Sequence, residues 1–372
     1  MADNLIIKGF KAEVAKPIMA VSGAVEKKNT IPILANILIR KTGQKVTFTG
    51  SDEQIEVTSD AAIGVGDEDF ATTVSAAKLC GILSTIADDA EVSIFYSDNH
   101  VIIKSGRTKF DLQTIDADQY PIMKEQMEFQ YSFSMPCMKF KNMLAMVQFA
   151  AAVNNVRYFL NGVYVSAENN IVRTVGTDGH RLSLFQNELD EPFAGKCEAI
   201  LPKKTARELL RLIPDTEEML KISISEKQIK VHFANIDILS KLIEGKYPDY
   251  ERVIPTKNDK EFMVDREQLI KTLQRVAILS MDKVRNVRWT LSENRLVLAT
   301  TNADMEEAID EIEIDYKGEP MEIIFNISYL LDMLAVVKTE KIRFSLSGPL
   351  SSGLVRVPDS ENFKFVVMPV RI

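Results

Sequence analysis

A short motif recurs along this chain at the spacing of whole domains, and that repetition limits the possible folds more than any other feature. Gly50-Ser51-Asp52, inside residues 47–60, returns as Gly176-Thr177-Asp178 inside 173–188, and more faintly as Thr301-Asn302-Ala303 inside 296–314. Tyr120-Pro121 closes the first copy and Tyr247-Pro248 the second, while the third ends on Val366-Val367-Met368-Pro369. The period of roughly 125 residues is far longer than that of a solenoid or propeller and equals a common domain size. The expectation is three similar domains in tandem, at 1–127, 128–255 and 256–372.

Within each copy the pattern reads strand, helix, several short strands, and then the same again. In the second copy 129–135 alternates as a strand, and 136–153 carries Phe140, Met143, Leu144 and Val147 at helical spacing. Residues 162–166 and 171–175 read as a hairpin across Glu168-Asn169-Asn170. A helix at 203–213 is stopped by Pro214, and 220–225, 229–233 and 237–242 read as a meander. The matching helices fall at 13–25 and 76–87 in the first copy, and at 266–279 and 328–337 in the third. Two helices against antiparallel sheet make each copy an α+β domain. Polar linkers are expected at 122–128 and 255–261.

Composition supports the globular reading, because 46% hydrophobic residues suffice for several cores and are too many for a disordered chain. No stretch has the length and apolarity of a membrane span, and no secretory signal pattern opens the chain, so a cytoplasmic location is expected. Cys80, Cys137 and Cys197 are far apart and odd in number, which fits buried thiols better than disulfides or zinc.

The net charge of -8 makes the surface as a whole repel nucleic acid unless its 45 basic residues gather on one face. The helices suggest that they do. Lys203, Arg207 and Arg211 are spaced four apart on one helix face, and 132–157, with Lys139 and Lys141, contains no Asp or Glu. Arg266, Lys271 and Arg275, then Lys283, Arg285 and Arg288, continue the trend in the third copy, and Lys11, Lys16, Lys27 and Lys28 in the first. Solvated helix faces are the ordinary explanation for any one of these groups; recurrence in three copies favours a basic lining that would hold a duplex through its phosphates without reading bases. No aromatic platform or recognition-helix motif accompanies the charges.

Catalysis has little to stand on. Asp178 and His180 beside Ser183 or Ser240 lack the spacing of a nucleophile motif, and His100, His180 and His232 lack that of a metal site. No phosphate-binding glycine loop is present. Read alone, 177–180 is a turn after a strand and 366–370 a buried last strand.

A group of motifs in fixed order then points further. Tyr158-Phe159-Leu160-Asn161-Gly162, Thr177-Asp178-Gly179-His180-Arg181-Leu182, Ser240-Lys241-Leu242 with Tyr247-Pro248-Asp249-Tyr250, residues 325–332 and the terminal Val367-Met368-Pro369-Val370-Arg371 closely resemble the β-subunit family of bacterial DNA polymerase III, the sliding clamps. The resemblance spans essentially the whole chain. It implies a non-catalytic protein without cofactor or metal, with three clamp-fold domains whose helices line the inside and whose sheets lie outside, forming half of a six-domain ring. Two chains would close head to tail around duplex DNA.

By that resemblance Lys28, Asn154, Tyr158 and Phe159 face DNA, and Ala77 stands where relatives can carry arginine, a role that Lys78 beside it would share; the basic helix face adds Lys203 and Arg207 to the DNA-facing set. A homodimer interface is implied at Ile278, Leu279 and Phe110, with Lys78, Arg107 and Lys109 of the first copy opposing Glu306, Glu307 and Glu311 of the third. The expected partners are the polymerase α subunit, the clamp-loader δ subunit and repair proteins, and no membrane. Their short peptides would occupy a groove lined by Leu160, Thr177, Gly179, His180, Arg181 and Leu182, by Pro248, Arg252 and Val253, and by Leu350, Ser352, Val366, Met368, Pro369, Val370 and Arg371. Asn326 and Tyr329 would edge it.

Overall fold

The structure is a computed structural model that describes residues 4–26, 31–125, 128–280, 285–358 and 360–371. Each copy runs twice through one order: a strand, a helix and a three-stranded meander. In the first copy β1 (Asn4–Phe10), α1 (Lys11–Ser22), β2 (Asn36–Thr42), β3 (Lys45–Ser51) and β4 (Ile55–Ala61) make one half. The other half is β5 (Phe70–Ser75), α2 (Ala76–Ser84), β6 (Glu91–Ser97), β7 (His100–Ser105) and β8 (Thr108–Ile115). The second copy has β9 (Tyr131–Pro136), α3 (Cys137–Gln148), β10 (Gly162–Glu168), β11 (Ile171–Thr177) and β12 (Arg181–Glu188). It continues through β13 (Lys196–Pro202), α4 (Lys203–Leu212), β14 (Met219–Ile224), β15 (Gln228–Phe233) and β16 (Ile236–Lys241). In the third copy β17 (Lys260–Asp265), α5 (Arg266–Val276), β18 (Asn286–Ser292), β19 (Arg295–Thr301) and β20 (Glu307–Glu313) come first. There follow β21 (Met321–Asn326), α6 (Ile327–Val336), β22 (Lys341–Leu346), β23 (Gly353–Arg356) and β24 (Phe363–Val367).

The leading strand of each half pairs with the meander of the other half: β1 with β6, β5 with β2, and likewise in the later copies. Neither half completes its sheet alone, which is why the repeat has the length of a domain. The chain divides into two compact units, Met1–Met138 with Arg211–Leu242, and Lys139–Leu210 with Ile243–Ile372. The first holds a sheet of order β1-β6-β7-β8-β5-β2-β3-β4-β16-β15-β14-β9. The second holds β13-β10-β11-β12-β24-β23-β22-β17 and β20-β19-β18-β21.

Two joints of one kind tie successive copies together. β4 pairs antiparallel with β16, Val57 opposite Ile238, and β12 pairs with β24, Ser183 opposite Phe365. In each joint the last strand of a first-half meander meets the last strand of a second-half meander from the next copy. Among the described residues, Thr108–Gln113 of β8 pair on one side only, with β7, and β20 pairs only with β19. These are the two strands that a third joint would need.

The recurring Gly-Ser/Thr-Asp motif has a packing cause. A Cβ on Gly50 would sit 2.3 Å from the carbonyl oxygen of Val21 in α1, and one on Gly176 2.2 Å from that of Val147 in α3. Only glycine admits the helix so close to the strand. In the third copy the motif falls one residue earlier than the 301–303 alignment expected: Thr300 takes the place of the glycine, and its hydroxyl donates to the carbonyl of Val276 at 2.8 Å. The Asp then turns the chain into the next strand. Asp52 accepts from the amides of Gln54 and Ile55, Asp178 from those of His180 and Arg181, and Asn302 from those of Asp304 and Glu306. The hairpin expected across 168–170 closes on Asn169 and Asn170, both at positive φ.

The helices end earlier than their apolar periodicity suggests, because side chains and turns claim the terminal carbonyls. After α3, Arg181 donates to the carbonyl of Phe149 and Lys203 to that of Ala151. After α2, the hydroxyls of Ser84 and Thr85 bond back to Gly81 and Ile82. Cys137 and Cys197 are buried, but Cys80 is only half-buried, since it lies on α2 outside the stripe of Ala76, Leu79 and Leu83 that faces the core. The second linker is shorter than expected, Lys260 and Glu261 being already in β17.

The first linker is pinned rather than loose. The amide of Met123 donates to Glu56, the Gln228 side chain donates to the carbonyl of Lys124, and Lys230 pairs with Glu125. Burial pushes the Glu56 carboxyl above its ordinary value, with the Met123 amide and Arg40 pulling less strongly the other way. The folded chain therefore favours the protonated acid, and stability falls as pH rises from the ordinary carboxylate range through the raised value. Glu56→Gln, uncharged throughout, is expected to melt about 2 °C above wild type near ~pH 7 and to match it near ~pH 4. Thermal unfolding at the two pH values checks this; an equal difference at both would show that charge burial is not the cause.

Candidate functional site

The turn between β11 and β12 builds one wall of a groove. Thr177 accepts from the amide of Gly179 and its hydroxyl donates to the carbonyl of Arg181 at 2.6 Å, while Asp178 holds the amides of His180 and Arg181. Gly179, at φ 92°, carries the chain through a conformation that a side chain would strain. The amide of Met368 donates to the carbonyl of His180 at 2.9 Å, extending the β12–β24 pairing past its last strand residue and fixing the C-terminal segment against the turn. Tyr247, buried and stacked on Tyr164 at 4.9 Å, donates to the carbonyl of Val175 and anchors the segment that forms the opposite wall. Burial drives the Tyr247 hydroxyl well above the usual phenol range, so it remains a donor.

Between these walls lies a cleft of about 230 Å³. Leu160, Leu182, Pro248, Val253, Val366 and Met368 give it an apolar floor and sides, and Thr177, Gly179, His180 and Arg181 rim it. All ten were anticipated from the sequence. Arg157, Asp249 and Tyr250 also line it and were not assigned to it. Each lies in or beside a quoted motif, Arg157 directly before Tyr158 and the other two after Pro248, so adjacency was an available signal.

Eight other residues assigned to the groove do not line this cleft. Arg252 is exposed and pairs with Asp249 at 2.7 Å. Asn326 caps α6, accepting from the amides of Ser328 and Tyr329. Tyr329 is behind the rim, its ring 4.5 Å from the Arg181 guanidinium and stacked toward His180. The carbonyl of Ser352 accepts from the side chain of Asn258, and the amide of Val370 donates to Ile324. Leu350 is exposed, as is Arg371, and Pro369 is half-buried.

The hydrolase-like arrangement considered from sequence is not assembled. Asp178 spends both oxygens on the turn amides and Arg181. Ser183 is fully buried with its hydroxyl on the carbonyl of Met146, and Ser240 is buried with its hydroxyl on Lys241. Among the described residues no group of three His, Cys, Asp or Glu side chains is placed to hold a metal, and no helix is long and apolar enough to cross a membrane.

The basic helices divide into two populations. Arg211 turns from its face to cap α1, donating to the carbonyls of Met19 and Ala20, and Arg266 donates to Leu334 near the end of α6. A cation at a helix C-terminus satisfies orphan carbonyls and complements the helix dipole. Lys203 does the same after α3, and burial, with Arg207 and Arg181 nearby, lowers its pKa. Lys11 pairs with Asp88, Lys139 with Asp190 and Arg275 with Asp310. The expectation that Lys203, Arg207 and Arg211 present one common basic face is thus corrected in part: Arg207 and Arg211 are both exposed, but Arg211 is turned to the end of α1 and Lys203 is half-buried against the end of α3. Lys16, Lys78 and Lys271 are exposed on their helices. Lys27, Lys28 and Lys283 lie outside the described residues.

The loop after α3 puts Asn154, at φ 54°, and Tyr158 on the surface, flanked by the exposed Val153 and Val156. Phe159 is half-buried against the Tyr164–Tyr247 cluster. Ile278 is 64% exposed just past α5, beside the half-buried Leu279. Arg107 and Lys109 are exposed at β8, with Phe110 half-buried. Glu306, Glu307 and Glu311 are exposed at β20, where Glu306 accepts from Asn302 and Glu311 pairs with Arg295.

Comparison with known proteins covers the chain from end to end. Residues 4–124, 134–249 and 251–371 match the N-terminal, central and C-terminal domain models of the DNA polymerase III beta subunit. The chain is 36% identical to the beta sliding clamp of Pseudomonas aeruginosa, over 96% of its own length and 97% of the relative's. It is 33% identical to that of Escherichia coli K12, over 97% and 98%. A crystal structure of the Pseudomonas aeruginosa clamp bound to griselimycin superposes with a TM-score of 0.94 at 35% identity, covering 99% of this chain and all of that one. The Caulobacter crescentus beta sliding clamp gives 0.91 at 33% identity, covering all of both chains.

Proposed function

Because the chain belongs to the DNA polymerase III beta-subunit family, the DNA sliding clamps of bacterial replication, we propose that it closes head to tail with a second copy into a ring around duplex DNA. It tethers the polymerase there without catalysis of its own. Its domains are read as 1–127, 128–255 and 256–372, and its working location as the cytoplasm.

The observation that carries this reading is the unfinished joint. Both joints inside the chain use the same pair of strands from neighbouring copies, and the third set, β20 of the last copy and β8 of the first, is left over. A second chain can supply the missing half, and a heterologous contact of this kind closes a ring when its rotation permits. The internal joints also set a register. The residue opposite Gly50, Gly176 or Thr300 in its hairpin is Val57, Ser183 or Ala308. The first two meet the third residue of β16 or β24, so Ala308 is expected to face Phe110, the third residue of β8. That register sets Arg107 opposite Glu311 and Lys109 between Glu307 and Glu311. Asp111 comes opposite Glu307, a like-charge contact moderated by the hydrogen bond of Asp111 to His100.

A ring linked to DNA by topology needs only weak phosphate contacts, which suits a few exposed cations such as Lys78 and Arg207 with Asn154 and Tyr158. Lys28 is read as part of the same DNA-facing set, whereas Lys203, bonded to the carbonyl of Ala151, and the half-buried Phe159 are not counted in it. The cleft at the β11–β12 turn is read as the groove for short peptides of the polymerase α subunit, the clamp-loader δ subunit and repair proteins: an apolar slot with polar rim groups fits an extended segment carrying large apolar anchors.

Retention on DNA tests the function. Once loaded by a clamp loader, the protein is expected to stay on closed circular duplex through gel filtration and to be lost when the circle is cut once. Equal retention on cut and closed circles would mean ordinary DNA binding, and the ring reading would be abandoned.

A further inference from the structure

Arg181 rims the cleft, yet it is poorly placed to serve a bound peptide directly. Its side chain is only 9% exposed, and every edge of the guanidinium is committed. Nε donates to Asp178 Oδ2 at 3.1 Å, Nη1 to Asp332 Oδ2 at 2.7 Å and Nη2 to the carbonyl of Phe149 at 3.0 Å. Its faces are covered by Tyr329 at 4.5 Å and Phe149 at 5.5 Å. A planar fork held on three sides has one orientation.

We propose that Asp332, on α6 and outside the cleft, is a positioning residue of the peptide groove, acting through Arg181. The proposal rests on the reading of the cleft as a peptide site. Asp332 and Asp178 share the charge of Arg181, but they sit on different elements: Asp178 belongs to the turn itself, whereas Asp332 ties that turn to α6. Tyr329 lies one turn before Asp332 on α6, stacked 6.5 Å from His180, whose carbonyl in turn holds the amide of Met368. The Asp332 carboxylate thus fixes the spacing between Tyr329 and the turn, and through it the placement of His180 and Met368 at the mouth of the groove. Loss of its charge leaves Arg181 to one carboxylate and frees α6 to shift against the turn. The apolar floor of Leu160, Leu182 and Val366 does not depend on it.

The test is binding of a fluorescein-labelled synthetic hexapeptide with adjacent Leu and Phe residues, followed by anisotropy on the full chain. Asp332 is half-exposed, so Asp332→Asn is expected to fold, and to bind about tenfold more weakly, the loss of one charge-assisted contact. Asp332→Glu is expected to recover most of that loss. Because Asp332 acts through Arg181, the double variant Asp332→Asn with Arg181→Gln is expected to bind no more weakly than Arg181→Gln alone. Unchanged affinity in Asp332→Asn, no recovery by Glu, or additive losses in the double variant would each overturn the proposal while leaving the groove standing. A wild-type chain that ignores the peptide would instead remove the groove reading, and this proposal with it.

Discussion

Replacing Ile278 and Leu279 together by Ala is expected to turn the dimer into monomers. Ile278 is exposed in the single chain, beyond the last turn of α5, and α5 reaches β20 through the Arg275–Asp310 pair. A large apolar side chain left exposed beside an unpaired strand edge is what an interface covers. Truncating two such anchors costs about 4 kcal/mol or more per joint, a factor of about a thousand in dissociation constant. Arg107, Lys109, Glu307 and Glu311 are exposed in the single chain, so ion pairs among them in the proposed joint would guide register and orientation more than they stabilise. Sedimentation velocity at micromolar concentration is the measurement; a variant that still sediments as a dimer would place the interface elsewhere. The register has its own check. Residues directly opposite on an antiparallel pair bring their Cβ atoms to about 5 Å, close to disulfide reach. Phe110→Cys with Ala308→Cys is therefore expected to cross-link chains under mild oxidation, and Phe110→Cys with Ile309→Cys much less.

The second large effect concerns the motif that marks the repeat. Gly176→Ala is expected to destabilise the chain by roughly 3 kcal/mol, because a methyl 2.2 Å from the Val147 carbonyl can be relieved only by moving α3 off the sheet. Gly50→Ala meets the same obstruction at 2.3 Å from Val21. Two controls separate this from a general intolerance. Gly81 in α2 has nothing within 4 Å of an added Cβ, so Gly81→Ala is expected to be neutral or to stabilise by about 0.5–1 kcal/mol. Thr300→Ala removes only a buried hydroxyl bond, at a cost of about 1 kcal/mol. Denaturant melts of the four variants decide the matter. If Gly176→Ala unfolds at the wild-type midpoint, the glycine is not there for helix contact.

Much of this molecule is legible in its letters because the information is local. Helical spacing in 137–148 and 203–212 and the Asn169-Asn170 turn depend on neighbours in sequence, and periodicity reports them directly. The cleft was legible for a different reason: its residues sit inside recognisable motifs, and Leu160, Leu182, Pro248 and Met368 meet as the resemblance implied. What failed was the reading of charge. A lysine or arginine on a helix looks the same in sequence whether it faces solvent or reaches back to a carbonyl, and Arg211, Arg266 and Lys203 do the latter. Likewise Arg181 was placed in the groove with its neighbours, and only its three partners show that its hydrogen-bonding edges are already used.

The sequence by itself determined the threefold repeat, the class of each copy, the family and most of the residues that line the cleft, since these rest on short-range patterns and on motifs in fixed order. Tertiary structure decided which strands join. The exchange of leading strands between halves, the β4–β16 and β12–β24 joints, and the edges left open at β8 and β20 come from hydrogen bonds between backbones up to about 190 residues apart. Backbone groups carry no letter, so no pattern of side chains announces which edge will meet which. It also decided which cations are spent, because a charge is available to a partner only when no carbonyl or carboxylate of its own chain has claimed it.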